Sequence, residues 1–275
     1  RPGPVRARRA ASRPRIHSSA GGLLQASLEA RQSWVALDGR LAQLFCYNEQ
    51  FPGPLLEARP GDTVRLRFTN SLPEPTNLHF HGLHVPPTGN ADNVFLEVPP
   101  RETITYEFVL PADHPAGTFW YHPHVHGRVA DQLFRGLAGL LIVRGGLDAI
   151  PEVASAAERF LVLKDFALDA NGQVPEAGMM DRLVGREGNL VTVNGRINPA
   201  LPIPGGGMLR LRILNASPSR FYRLQLEGHP LFVIATDGGA IPAPAGAEEI
   251  LLAPGERVEV LVRGDRPGGL YRLLN

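Results

Sequence analysis

The chain has 275 residues, and its 30 Gly and 26 Pro make up about a fifth of it, against a usual share of about 12%. That many helix breakers excludes a protein of long helices, and a formal net charge of +1 leaves no electrostatic reason to expect nucleic acid as a partner. A single cysteine, Cys46, excludes an intrachain disulfide framework, and no apolar run reaches the roughly 20 residues of a membrane helix.

Residues 1–20 hold six Arg and show neither helical nor strand periodicity, so a basic, solvated tail is expected. The Arg8-Arg9 pair is not followed by the apolar stretch of an export signal, although the segment suits what remains after such a signal is removed. From Thr63 to Asn70 the segment TVRLRFTN places Val64, Leu66 and Phe68 on one face and Arg65, Arg67 and Thr69 on the other, the period of a half-buried strand. Residues 103–109 (TITYEFV) alternate likewise, and 137–143 (LAGLLIV) form a short apolar run. Turn clusters at 51–54, 59–62, 73–75 and 98–100 separate these segments. Short helices are expected only at 129–135 and 151–158. The class is therefore all-β, a sandwich or barrel.

Part of the pattern recurs. GDTVRLRFTN at 61–70 matches GGMLRLRILN at 206–215, VPPRETITYEFV at 98–109 matches APGERVEVLV at 253–262, and GTFWYHPH at 117–124 matches GGLYRLLN at 268–275. Repetition in the same order implies two copies of one β domain. The expected organisation is a tail over 1–20, a first domain over 21–146, a linker over 147–158 and a second domain over 159–275. The first copy continues past WYHPH to LAGLLIV, whereas the second reaches Asn275 at the equivalent point. Its last strand is thus expected from outside these residues, in a further domain or a complementing chain.

Seven of the nine His lie between 79 and 126. In an extended strand residues i and i+2 share a face, so His79-Phe80-His81 and His122-Pro123-His124 each present two imidazoles together. If the two segments approach, four neutral nitrogens converge without carboxylate or thiolate, a donor set for Cu, Zn, Fe or Ni and not for Mg or Ca.

LHFHGLHV and GTFWYHPHVHG resemble the first and second copper motifs of the multicopper oxidases, most nearly the bacterial laccase-like members; FPGPLLEARPGDTVRLRFTNSLPEPTNLHFHGL, VPPRETITYEFVLP and LLAPGERVEVLV extend the likeness over about residues 21–275. The resemblance implies tandem cupredoxin-like Greek-key domains. It also implies copper, with His79 a ligand of the type 2 ion and His81, His122 and His124 ligands of the type 3 pair. Asp92, in the loop GNADN, matches an acidic residue that supports proton delivery in such proteins. His84, His114, His126 and His229 are expected not to ligate, with His114 at the surface. The family's third and fourth motifs, HPxHxH and HCHxxxH, do not occur, and Cys46 has no neighbouring His, so a type 1 copper site is expected from elsewhere.

The implied activity is laccase-like: one-electron oxidation of phenols, aromatic amines or metal ions coupled to four-electron reduction of O2 to water, in an exported periplasmic or extracellular protein. A non-catalytic copper-binding scaffold and a two-domain nitrite-reductase-like protein are the alternatives. The latter is disfavoured by the missing type 1 Cys.

Overall fold

The computed structural model describes residues 15–275, so residues 1–14 of the tail expected over 1–20 lie outside the described residues. In chain order the first half contains β1 (Ile16–Ser18), β2 (Leu23–Leu37), β3 (Arg40–Tyr47), β4 (Leu55–Ala58), β5 (Thr63–Asn70), β6 (His79–His81), β7 (Thr103–Val109), β8 (Gly117–His122), α1 (Val129–Phe134) and β9 (Gly139–Val143). A 3-10 turn (Gly146–Ala149) and α2 (Pro151–Ala154) lead to the second half. There follow β10 (Ala157–Phe166), α3 (Met179–Val184), β11 (Leu190–Val193), β12 (Met208–Asn215), β13 (Tyr222–Leu226), β14 (Leu231–Thr236), β15 (Gly239–Ala247), β16 (Ile250–Leu252), β17 (Arg257–Arg263) and β18 (Leu273–Leu274).

The all-β expectation holds, with four sheets and only short helices among the described residues. None of these helices is long and apolar enough to cross a membrane. In the first half, β3-β2-β5-β7 faces β1-β4-β9-β8-β6, and the apolar faces close on a core that includes Leu66, Phe68, Phe80, Tyr106, Phe119 and Leu141. The order β3-β2-β5-β7 recurs as β11-β10-β12-β17, with parallel β2–β5 answered by parallel β10–β12 and antiparallel β5–β7 by antiparallel β12–β17. The repeat read in the sequence is thus a repeat of strand topology, and β14–β15 is a hairpin added to the second copy.

Three expectations change. Ile16–Ser18 is a strand, paired in parallel with Leu55–Glu57 of β4, so the basic start is built into the sheet from residue 16. Backbone pairing with β4 determines its conformation where side-chain periodicity offers no signal. Strand β10 begins at Ala157, inside the stretch expected as linker. A helix unmarked by sequence, α3, carries Met179, Met180, Leu183 and Val184, all exposed.

The two copies treat the outer face of the β5-type strand differently. In β5, Arg65 and Arg67 are exposed, and Arg65 pairs with Glu107 across to β7. Their counterparts Arg210 and Arg212 on β12 are buried against the first half. Arg210 pairs with Glu259 at 2.6 Å, Arg212 with Glu158 at 2.6 Å and Asp148 at 2.9 Å, and Arg144 with Glu158 at 2.8 Å. Thr118 of β8 donates to Glu259 at 2.8 Å, tying the network to the first half. Beside it an apolar cluster joins Leu44, Trp120, Phe134 and Ile142 of the first half to Val162, Phe166 and Leu214 of the second. A surface that is solvated in one copy is therefore the joint in the other.

Candidate metal centre

Strands β6 and β8 run antiparallel with His79 opposite His122, Phe80 opposite Tyr121 and His81 opposite Trp120. Phe80 and Tyr121 point into the core and are fully buried, which turns His79, His81, Trp120 and His122 to the opposite face. Ring centroids lie 5.1 Å apart for His79–His122, 5.1 Å for His79–His124, 5.5 Å for His81–His122 and 5.6 Å for His79–His81. Donor atoms of His79, His81 and His122 all fall within 4.8 Å of one another, and His124 flanks this triad.

Hydrogen bonding decides which nitrogens remain free. His79 Nδ1 donates to Asp92 Oδ1 at 2.9 Å, leaving Nε2 as the lone-pair atom. His122 Nδ1 donates to the carbonyl of Pro123 at 2.9 Å, and its Nε2 lies 3.2 Å from His81 Nδ1. His124 Nδ1 is buried without a partner among the described residues. Burial, then the nearby charge of Arg257, holds His81 down to about 4. Burial lowers His122 well below, and His124 below, the ordinary histidine value. These three rings are therefore neutral near pH 7, as metal ligation requires. A cluster of uncharged imidazoles with an orphaned nitrogen fits a copper-type cation and offers nothing to a hard, oxygen-seeking one.

The surrounding residues hold this arrangement. Asp92 accepts both His79 Nδ1–H and the Phe80 backbone N–H, at 2.8 Å, and so anchors its loop to β6. Asn77, fully buried, accepts the His124 backbone N–H at 2.6 Å and donates to the carbonyl of Val94 at 3.1 Å, which ties both His segments to the same loop. Tyr106 Oη accepts the Leu78 N–H at 2.9 Å. Gln132 of α1 accepts from Thr76 and donates to Glu74 and the Pro75 carbonyl. Trp120 is 98% buried, and its ring lies 4.1 Å from His122 and 5.1 Å from His81. Sequence reasoning named Asp92 and passed over Asn77, Tyr106 and Gln132, whose residue types carry no chemical signature. Only the position of Asn77 two residues before His79 offered a hint.

The remaining His fall outside the group. His126 is exposed beside Phe95, at the rim. His229 is buried against Tyr271 in the second half. His114, expected at the surface, is 4% exposed: Nε2 accepts the His84 backbone N–H at 3.0 Å and Nδ1 donates to the Pro115 carbonyl at 2.8 Å, so both nitrogens are used structurally. Cys46 is buried in β3, its Sγ 3.7 Å from the Arg31 carbonyl, and burial pushes the thiol up to about 11.

Comparisons with known proteins agree with this geometry. Sequence models of a family described as multicopper oxidase match residues 29–147 and 159–275. A cell division protein FtsP of Yersinia pestis is 34% identical over 253 residues, covering 90% of this chain and 52% of its own length. Laccase-1 of Cryptococcus neoformans var. grubii is 30% identical over 251 residues, covering 82% of this chain and 39% of its own. The structure of a bacterial laccase-like multi-copper oxidase, CueO from Ochrobactrum sp., superposes with a TM-score of 0.82 at 31% identity, over 96% of this chain and 62% of that one. The chain thus spans about half the length of the curated FtsP relatives it matches. The fold likeness identifies the paired sandwiches as cupredoxin-like.

Proposed function

Because the chain belongs to the multicopper oxidase family, we propose that it supplies half of the copper ligands of a laccase-like oxidoreductase. His79 takes the type 2 position, and His81, His122 and His124 the type 3 positions. The observation that carries this reading is the convergence of four imidazoles from β6 and the end of β8, three with donor atoms within 4.8 Å. Copper held by these residues would supply the redox chemistry, the coupling of one-electron oxidation of four equivalents of a phenol, aromatic amine or metal ion to four-electron reduction of O2 to water.

The protein's own groups bind, orient and exclude water. Asp92 fixes His79 in the tautomer that leaves Nε2 free and is a carboxylate within reach of the site for proton transfer. Trp120, on the same face and anchored in the apolar cluster of the joint, packs on His81 and His122 and keeps water from that side of them. Cys46 does not suit a type 1 copper: it is buried in β3, where no His precedes or follows it, and it belongs to no cluster of metal-ligating side chains among the described residues. That site comes from a third cupredoxin domain or a complementing chain, next to two domains formed by the two halves described above. Export to the periplasm or cell exterior accords with this chemistry.

The test is copper content and O2 consumption of the intact protein with a phenolic substrate, before and after His122→Ala. Copper-dependent turnover that the substitution abolishes supports the reading; a copper-loaded protein that never consumes O2 removes the oxidase. A second reading, a copper-binding scaffold without turnover, is favoured by the relatives named as cell division proteins. Copper retention without O2 consumption is its expected result.

A further inference from the structure

The second half contains no ligand motif, yet two of its residues touch the metal centre. The turn between β16 and β17 brings Gly255 against His81: a Cβ on Gly255 would lie 3.2 Å from His81 Cε1 and 3.7 Å from Trp120 Cζ2. Two residues later the guanidinium of Arg257, 4% exposed, crosses into the first half. Its Nε donates to the Thr118 carbonyl of β8 at 3.0 Å, and Nη2 packs on Gly82, the residue after His81. Its other donors are held by Asp237, through Oδ1 at 2.8 Å and the backbone carbonyl at 3.0 Å, and by the Gly255 carbonyl at 3.2 Å.

The repeat supplies an internal control. The equivalent turn of the first half carries Arg101 at φ +70°, its N–H donating to the Asn70 carbonyl at 2.7 Å. Gly255 sits at φ +83° with its N–H donating to the Asn215 carbonyl at 2.9 Å. This left-handed position therefore tolerates a side chain where nothing opposes it, and bears glycine where His81 does. At the next equivalent site, Thr103 is paired with Thr69, and Arg257 with Leu214. Thr103 is exposed, whereas Arg257 is buried and bonded across the joint.

We propose that Gly255 and Arg257 are positioning residues for His81, so that the half without ligands completes the metal centre of the half that has them. Gly255 lets the turn close against the imidazole, and Arg257 clamps the backbone of β8 and of Gly82 on either side of it. The proposal rests on the copper reading only for the identity of the bound ion; the contacts themselves do not.

The experiment compares Gly255→Ala with Gly61→Ala in the intact protein. Both glycines are left-handed, at φ +83° and +87°, so alanine meets similar backbone strain at each. A Cβ at Gly61 has no neighbour within 4 Å, so only Gly255→Ala reaches His81. Two readouts are taken on metal-free protein: the His81 ring resonances of histidine-labelled protein, assigned with His81→Gln, and affinity for zinc as a redox-silent probe. Gly255→Ala is expected to shift the His81 resonances and weaken zinc by about tenfold, the lower end for groups that orient a ligand, while Gly61→Ala does neither. Arg257→Lys keeps the charge, loses the forked geometry, and is expected to move His81 as well. Unmoved His81 resonances in both Gly255→Ala and Arg257→Lys overturn the proposal. Failure of the unmodified protein to bind zinc or copper instead overturns the copper reading, and the resonances still decide the positioning role.

Discussion

Asp92 offers the sharpest perturbation of the site, because one of its oxygens does two things. Oδ1 accepts the buried Phe80 N–H at 2.8 Å and His79 Nδ1–H at 2.9 Å. Asp92→Ala leaves both donors without a partner, and an orphaned buried donor costs about 1–3 kcal/mol. It also frees the His79 ring to rotate and to change tautomer, and loss of such an orienting group weakens metal by about 10–100-fold, or about 1.4–2.8 kcal/mol. Asp92→Asn retains a carbonyl oxygen for the Phe80 N–H and loses only the charge assistance to His79, so its stability stays within about 1 kcal/mol of the parent. The assay pairs thermal unfolding of the metal-free protein with copper titration against a competing chelator. The expected order of affinity is parent, then Asn, then Ala. If Asp92→Ala melts lower but binds copper as tightly as the parent, Asp92 is only a loop anchor and the orienting role is refuted.

Other consequences follow from the joint and the core. Glu259, with a side chain 2% exposed, balances both Arg210 and Arg212, and removing one partner of a buried pair costs about 3–5 kcal/mol, so Glu259→Ala should lower the chemical denaturation midpoint markedly. Arg65→Ala breaks the exposed counterpart pair with Glu107 and should leave the midpoint in place. Lys164, fully buried between the rings of Phe134 and Phe166, is held down to about 7 from its ordinary 10.5 by burial, with Asp165 opposing and Arg186 adding to the effect. The unfolded chain binds the extra proton between those values, so stability should climb as pH rises from about 7 to 10.5 and stay level below 7. Lys164→Met should flatten that climb in denaturation midpoints measured at several pH values. A Cβ on Gly139 would overlap the Tyr121 ring, so Gly139→Ala should displace Tyr121 beside His122, cost about 1–3 kcal/mol and reduce copper retention.

The strands with period-two patterns were readable to the residue: Thr63–Asn70 and Thr103–Val109 occur as expected, because one face is buried and the other solvated. The first His pair was readable in the same way, since His79 and His81 share one face of β6, whereas in the second pair only His122 lies on a strand and His124 follows the end of β8. Arg210 and Arg212 show where such reading stops. Their RLR pattern matches Arg65 and Arg67, and Arg65 too faces an acid, Glu107, yet one pair is exposed and the other buried where Arg212 meets Thr118 of the first half, a contact no local pattern shows. His114 misled because PADHPAG has the composition of a surface turn, while its burial depends on the His84 N–H thirty residues away. Strand β1 was hidden for a related reason: its partner β4 is distant in sequence and supplies the backbone bonds. Gly255 carried no signal of function until its contact with His81 was visible.

Diffraction at the copper absorption edge, on crystals of the intact protein grown with copper, addresses the central claim most directly. The account predicts anomalous density on the face of β6 and β8 shared by His79, His81 and His122, with His124 beside it, and loss of that density in His122→Ala. Copper bound elsewhere, or density that persists in the variant, would contradict the assignment of these imidazoles as the metal ligands.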